Sequence, residues 1–135
     1  IEAGRLDPAR LPSPYDRYQP QRLLELVELG RPGDDQLVVG HGSSCLSNLF
    51  VSTADSGSDR KAAPVGVAGL HRLGVADRHH DLAVLHRQLS DVYGPEAVIS
   101  FYEGYGFTPD LVALDHYILI DVLASAVAPV PTNTP

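Results

Sequence analysis

The run His41-Gly42-Ser43-Ser44-Cys45 gathers an imidazole, two hydroxyls and the chain's one thiol, the ingredients of nucleophilic catalysis. The nucleophile elbow requires Gly-x-Ser-x-Gly, because its serine stands on a tight turn between strand and helix. The glycine that must follow the serine is missing, which argues against a serine hydrolase. A second group, His71, His79, His80 and His86 with Asp77 and Asp81, has the chemistry of metal ligands. No two of these histidines have the i, i+4 spacing that sets a pair on one helix face for zinc, so they read as solvent-facing residues of one helix.

The elements that must position these residues follow from punctuation and periodicity. Pro8, Pro12, Pro14 and Pro20 fix their own backbone and bias their predecessors to extended forms, so residues 1–19 are expected to be an irregular, tethered arm draped over the body. Leu23, Leu24 and Val27 recur at helical spacing over Gln21 to Arg31, and Gly30 and Gly33 supply the stop. Leu37 to Val39 is expected as a brief buried strand, and Gly40 to Asn48 as a loop. Leu49 to Val51 and Val65 to Ala68 read as strands joined by a polar hairpin connection over 53–61. Beyond Asp77, Leu82, Leu85, Leu89 and Val92 mark a helix that Gly94-Pro95 closes before opening another, whose core side is Val98, Phe101, Tyr102 and Tyr105. A last helix is expected to start at Thr108-Pro109-Asp110, capped by the Thr108 hydroxyl, with Leu111, Leu114, Tyr117, Ile118 and Leu119 as its apolar stripe. Residues 129–135 form a proline-rich tail. The fold class is α+β, mostly helical, with a small β-hairpin, and residues 20–128 are expected to share one core.

Composition narrows the function. A chain of 135 residues, 44% of them hydrophobic, is the size of one domain. With 10 basic against 17 acidic residues and a formal charge of -7, it lacks the clustered cations that a phosphate backbone requires, so no nucleic acid is expected as a partner. Cationic small molecules suit that balance better. Cys45 alone excludes an internal disulfide and favours a reduced cytoplasm. The apolar stretch Leu111 to Val130 is interrupted by Asp115, His116 and Asp121, so it reads as a buried helix and no membrane is expected as a partner. Residues 1–20 have no apolar signal region, and with Ile1 first and no Met the chain is expected to be processed or cut from a longer reading frame.

Val38-Val39-Gly40-His41-Gly42-Ser43-Ser44-Cys45-Leu46-Ser47-Asn48 resembles the catalytic loop His-Gly-Asp-x-x-x-x-Asn of the aminoglycoside phosphotransferase family. Arg72-Leu73-Gly74-Val75-Ala76-Asp77-Arg78, then Asp81-Leu82-Ala83, is similar to the segment after that family's metal-binding loop. Gly94-Pro95-Glu96-Ala97, Tyr105-Gly106 and Tyr117 to Asp121 resemble the C-terminal helices of the 3'-phosphotransferase branch, and Tyr15-Asp16 a shortened acidic substrate loop. The resemblance runs from residue 15 to 124 and implies the C-terminal lobe of a protein-kinase-like fold, with the N-lobe absent.

The departures from the family pattern matter as much. The resemblance puts Ser43 where the family has the Asp that accepts the substrate's proton, and general-base loss costs about 10²- to 10⁴-fold. It puts Gly69 where the family's second acid holds magnesium on the nucleotide phosphates, while Asn48 matches the metal-binding asparagine and is left as a vestigial metal position. Lys61, the one lysine, stands in a polar connection, and no Gly-x-Gly-x-x-Gly or Gly-x-x-x-x-Gly-Lys occurs. No cofactor is therefore expected, ATP and Mg²⁺ both being lost. By the same resemblance Asp16, Arg72, Tyr105 and Asp121 line or brace a substrate pocket, Asp77 and Asp81 brace loops, and Val122 replaces an acid. Arg72 is also a candidate ion-pair partner of Asp77 or Asp81.

The expectation is a truncated phosphotransferase-like chain that has lost ATP-dependent transfer and keeps a pocket for a cationic or polyol ligand. Three alternatives stand beside it. One is a secondary-metabolism cyclase or isomerase using His41, Ser43, Tyr105 or Asp121 as catalytic or binding groups. Another is a noncatalytic interaction module, a homodimer or a partner chain covering the exposed lobe interface. The last is an aminoglycoside kinase whose missing lobe comes from another chain.

Overall fold

The computed structural model describes residues 3–33, 36–52 and 63–127. These fall into two compact units, one drawn from 1–34 with 109–135, the other from 35–108.

The first unit is built on two helices, α1 (Pro20–Leu29) and α4 (Leu111–Ala126). Pro20 opens α1 at a position where its missing N–H costs nothing, and the Gly30 amide closes it on the Leu26 carbonyl. Leu23 is fully buried among Leu119, Val122, Leu123 and Ala126 of α4. Burying such side chains stabilises the fold by about 1.5–3 kcal/mol each. The proline-punctuated segment before α1 winds through three short helical turns, Ala3–Arg5, Pro8–Arg10 and Tyr15–Arg17. It inserts Leu6 and Leu11 into the same core. The Asp7 amide donates to the Ala126 carbonyl (3.0 Å) and the Arg10 guanidinium to that of Val127 (2.7 Å), so the arm is tied to the end of α4.

Helix α4 is capped by Asp110 rather than Thr108. Its carboxylate accepts from the amides of Val112 (2.8 Å) and Ala113 (3.3 Å). One ionised side chain thus satisfies two of the helix's unpaired donors, which a hydroxyl two residues earlier does not. Leu111 is exposed, so the apolar stripe begins at Leu114.

The second unit contains two antiparallel pairs. Strand β1 (Leu37–Gly40) pairs with β4 (Gly74–Asp77), Leu37 opposite Asp77 and Gly40 opposite Gly74. Strand β2 (Leu49–Ser52) pairs with β3 (Ala63–Val67), with a register shift between Phe50 and Val51. The connection 53–61 lies outside the described residues, as does the tail 129–135. Strand β4 runs straight into α2 (Arg78–Tyr93), and Gly94 separates α2 from α3 (Pro95–Tyr105). Leu82, Ala83 and Val98 are buried here.

Two expectations are corrected in this unit. Strand β1 is not buried: Leu37 is 62% exposed, Val39 74% and its partner Val75 72%. Each strand of this two-stranded ribbon has one neighbour, and no layer covers that face among the described residues. Nor are the histidines all solvent-facing, since His79 is 1% exposed. Asp77, itself buried, accepts from both the His79 backbone amide and its ring Nδ1, each at 2.8 Å, drawing the imidazole inward at the helix start. Among the described residues no helix is long and apolar enough to cross a membrane.

Candidate functional site

The loop after β1 is held from several sides. The Asp81 carboxylate, in the first turn of α2, accepts from the amides of His41 (2.6 Å) and Gly42 (3.0 Å). Burial by itself raises a carboxyl pKa, but hydrogen bonds from His80, the Gly42 amide, the Ser44 side chain and the His41 amide overcome it. Asp81 is held far below the usual carboxylate range. Two turns further along the same face of α2, the Gln88 side chain accepts from the Leu46 amide (2.8 Å). Gly42 adopts φ +73°, and a Cβ there would collide with the Arg72 backbone carbonyl, so only glycine lets the loop lie so close to the turn Leu70–Arg72.

His41 has both ring nitrogens engaged. Its Nδ1 accepts from the Ser43 amide (3.2 Å), which puts the proton on Nε2, and Nε2 donates to the Ala68 carbonyl (2.7 Å). The Ser43 carbonyl accepts from the Asn48 side-chain amide (2.9 Å). The hydroxymethyl of Ser43 is neutral and takes no proton from a substrate hydroxyl at ordinary pH.

A cleft of about 310 Å³ opens beside this loop. His41, Ser44, Asp81, Val38 and Val39 line it, with Phe101 and Tyr105 from α3. The Phe101 and Tyr105 rings stack at 5.8 Å between centroids. Arg78, also on the cleft, lies 4.4 Å over the Phe107 ring. Tyr102 hydrogen-bonds the His86 Nδ1 at 3.3 Å, and burial pushes its phenol up to about 12, which keeps it protonated and rules it out as a base. Asp77 has the same balance as Asp81 in milder form. Burial opposes its charge, but the His79 and Gln36 amides and the His79 ring outweigh that and lower its pKa.

The sequence-derived site residues do not all gather here. His41, Asp81 and Tyr105 line the cleft, with Ser43 and Asn48 in the loop behind it. Arg72 lies exposed on the Leu70–Arg72 turn and, among the described residues, makes no ion pair with Asp77 or Asp81, contrary to that expectation. Asp16, exposed, and Asp121, half-buried, belong to the other unit, where Val122 is part of the core. Sequence reasoning missed Gln88 and the Ala68 carbonyl. The seven-residue interval from Asp81 to Gln88, which returns to one helix face, is the signal for the first. A backbone carbonyl leaves no signal at all.

The fold is a partial protein-kinase-like one, helical and centred on a loop between a strand ribbon and α2. It superimposes on an aminoglycoside 3'-phosphotransferase of type VIII with a TM-score of 0.71 and 28% identity, covering 89% of this chain and 45% of that one. It also matches the aminoglycoside phosphotransferase APH(3'')-Id from Streptomyces rimosus, with a TM-score of 0.66, 28% identity and 87% of this chain against 46% of that one. No protein-family model matches the chain. In sequence it is 37% identical over 105 residues to the aminoglycoside 3'-phosphotransferase of Streptomyces fradiae, covering 74% of this chain and 37% of the relative. It is 32% identical over 133 residues to the streptomycin 3''-kinase of Streptomyces griseus, covering 91% and 47%. The chain belongs to the aminoglycoside phosphotransferase family. It spans less than half the length of these curated relatives.

The residues present do not fit the magnesium centre that the family implies. Gly69 offers no donor, which leaves the Asn48 amide oxygen without a carboxylate beside it at that position. Asp81 is occupied by backbone amides, and the described residues contain no group of three or more His, Cys, Asp or Glu able to hold a metal.

Proposed function

We propose that this chain does not itself transfer a phosphoryl group and that it binds a small polyol or amino-sugar ring in the cleft beside the His41 loop. The observation that carries the reading is Ser43. It stands at the proton-accepting position with its amide on the His41 ring and its carbonyl on Asn48, so the loop is built but has no base. Phosphoryl transfer rests on positioning and charge stabilisation, and a loop with a neutral serine at the proton-accepting position has no carboxylate there to orient a substrate hydroxyl. The stacked Phe101 and Tyr105 rings offer an apolar contact for a sugar ring, and the Ser44 side chain on the same cleft offers a hydroxyl. Cys45 as a free thiol supports a cytoplasmic setting.

The engagement of both His41 nitrogens weighs against the cyclase or isomerase reading, since a general acid or base needs a nitrogen free for substrate. A second reading is supported by Leu37, Val39 and Val75, whose exposed side chains would suit a partner chain covering the β1–β4 ribbon.

The test is a titration of the ¹⁵N-labelled chain with kanamycin, and separately with ATP and Mg²⁺, followed by amide shifts and ATP consumption. Kanamycin is expected to move the amides of residues around His41 and Tyr105 in a saturable way, with ATP consumed no faster than in buffer. Shifts absent from the cleft, or ATP turnover above the blank, overturn the reading.

A further inference from the structure

We propose that Arg78 is the anchor of an anion subsite in the cleft beside the His41 loop, and that the ring bound there carries an oxyanion, a carboxylate or a phosphate ester. The inference rests on the reading of that cleft as a ring site. Arg78 opens α2 and borders the cleft together with Phe101 and Tyr105. Its guanidinium carbon lies 4.4 Å from the centroid of the Phe107 ring, and its Nε is buried with no hydrogen-bond partner. A guanidinium laid on an aromatic face has its plane fixed by the stacking, which leaves its in-plane N–H groups to meet the paired oxygens of a carboxylate or phosphate.

Among the described residues the Arg78 side chain makes no ion pair. The two acids nearest to it in sequence are spent on other donors. Asp77 accepts from the Gln36 amide and from the amide and ring of His79, while both oxygens of Asp81 take the amides of His41 and Gly42. A partly buried cation without a counter-ion is costly, and an uncharged polyol does little to relieve it. An oxyanion on the ligand supplies the missing partner through charge-assisted hydrogen bonds. The same aromatic run offers both contacts: Phe101 stacks on Tyr105 at 5.8 Å, Tyr105 meets Phe107 edge-on at 6.2 Å, and Phe107 lies under Arg78. The formal charge of -7 repels an anion at long range, so recognition depends on contact with this one guanidinium.

Amide shifts of the ¹⁵N-labelled full chain test it at physiological ionic strength, where long-range repulsion is screened. The probes are glucose, glucuronate, glucose 6-phosphate and inorganic phosphate. At least one of the two anionic rings is expected to saturate shifts around Arg78 and Tyr105 with an affinity about tenfold or more above that of glucose, the worth of a hydrogen bond to a charged group. Whichever of the two binds more tightly identifies the oxyanion. In Arg78→Gln the advantage is expected to vanish. Equal affinities for the three rings in wild type, or an advantage that survives Arg78→Gln, overturn the proposal. If Arg78→Gln does not fold, Arg78→Lys decides, since it keeps the aliphatic stem and the charge but not the flat fork. It is expected to lose most of the advantage, and an undiminished one overturns the proposal. Binding of glucose in the cleft with no gain from an oxyanion sinks the subsite and leaves the ring-site reading standing. Should no ring bind, that reading falls and inorganic phosphate judges Arg78 alone: saturable shifts around Arg78 that disappear in Arg78→Gln support the anion contact, and their absence in wild type overturns it.

Discussion

The carboxylate of Asp81 accepts the amide hydrogens of both His41 and Gly42, at 2.6 and 3.0 Å. One ionised side chain on α2 thus fixes the start of the His41–Asn48 loop. Asp81→Asn keeps one acceptor oxygen but turns an NH₂ toward a backbone N–H. The loss is expected to be about 2 kcal/mol, as for hydrogen bonds to a charged group, read from the urea midpoint at neutral pH. An unchanged midpoint would remove Asp81 as the brace.

The same bonds set an acid response. Asp81 and Asp77 both have pKa values lowered in the folded chain, so the unfolded chain binds protons more readily. Their contribution is whole above the unfolded carboxylate value of about 3.9 and is lost as pH falls through it toward the folded values. Stability measured from pH 6 downward is expected to stay level and then drop below about pH 4. Asp81→Asn should flatten that drop, and a drop of the same size in the variant would contradict the assignment.

Asp77 holds more than its own helix. Its carboxylate takes the Gln36 amide (2.5 Å) as well as the amide and ring of the buried His79. Asp77→Ala removes a helix cap and the hydrogen bond that the buried His79 ring makes with it, and is expected to destabilise the chain by about 3 kcal/mol or more. Circular dichroism melts compared with His79→Phe, which removes the imidazole's need for a partner, separate the two contributions: the His79 variant should lose less.

In the first unit, Leu123 has no exposed surface and packs in the cluster with Leu23 and Leu119. Leu123→Ala is expected to cost about 2–5 kcal/mol, the range for a buried leucine whose cavity relaxes only in part. A urea transition within 1 kcal/mol of wild type would show that this helix pair is not the unit's core.

Tyr105 is 46% exposed and its ring contacts are with Phe101 and Phe107 at the surface of α3, so its replacement tests ligand contact at a modest cost in stability. Tyr105→Ala should leave the thermal midpoint close to wild type and weaken kanamycin binding by about tenfold, the loss of one good contact of 1.4 kcal/mol. Equal affinity in the variant would move the ligand away from the α3 face.

How much of this was legible in the sequence depended on whether a signal was local. The helices were legible because their stops are written in single residues: Gly30 after α1 and Gly94-Pro95 between α2 and α3. Strand β4 was not, because Gly74-Val75-Ala76-Asp77 contains one β-branched residue and finds its partner in β1, more than thirty residues earlier. Burial was misjudged where it depends on a covering layer: Val39 looks like a core residue by type, yet the ribbon leaves it exposed. Within the site, Ser43 and Gly69 were readable as losses by resemblance to the family. The bond from Asn48 to the Ser43 carbonyl was not, since a side-chain-to-backbone bond has no sequence signature.

The central claim is that this chain cannot transfer phosphate by itself, and ³¹P magnetic resonance of ATP incubated with the chain, Mg²⁺ and kanamycin tests it most directly. The account predicts that the γ-phosphate resonance persists as it does in buffer and that no phosphomonoester signal grows. A new phosphomonoester resonance on kanamycin, rising with enzyme concentration as ADP accumulates, would contradict it.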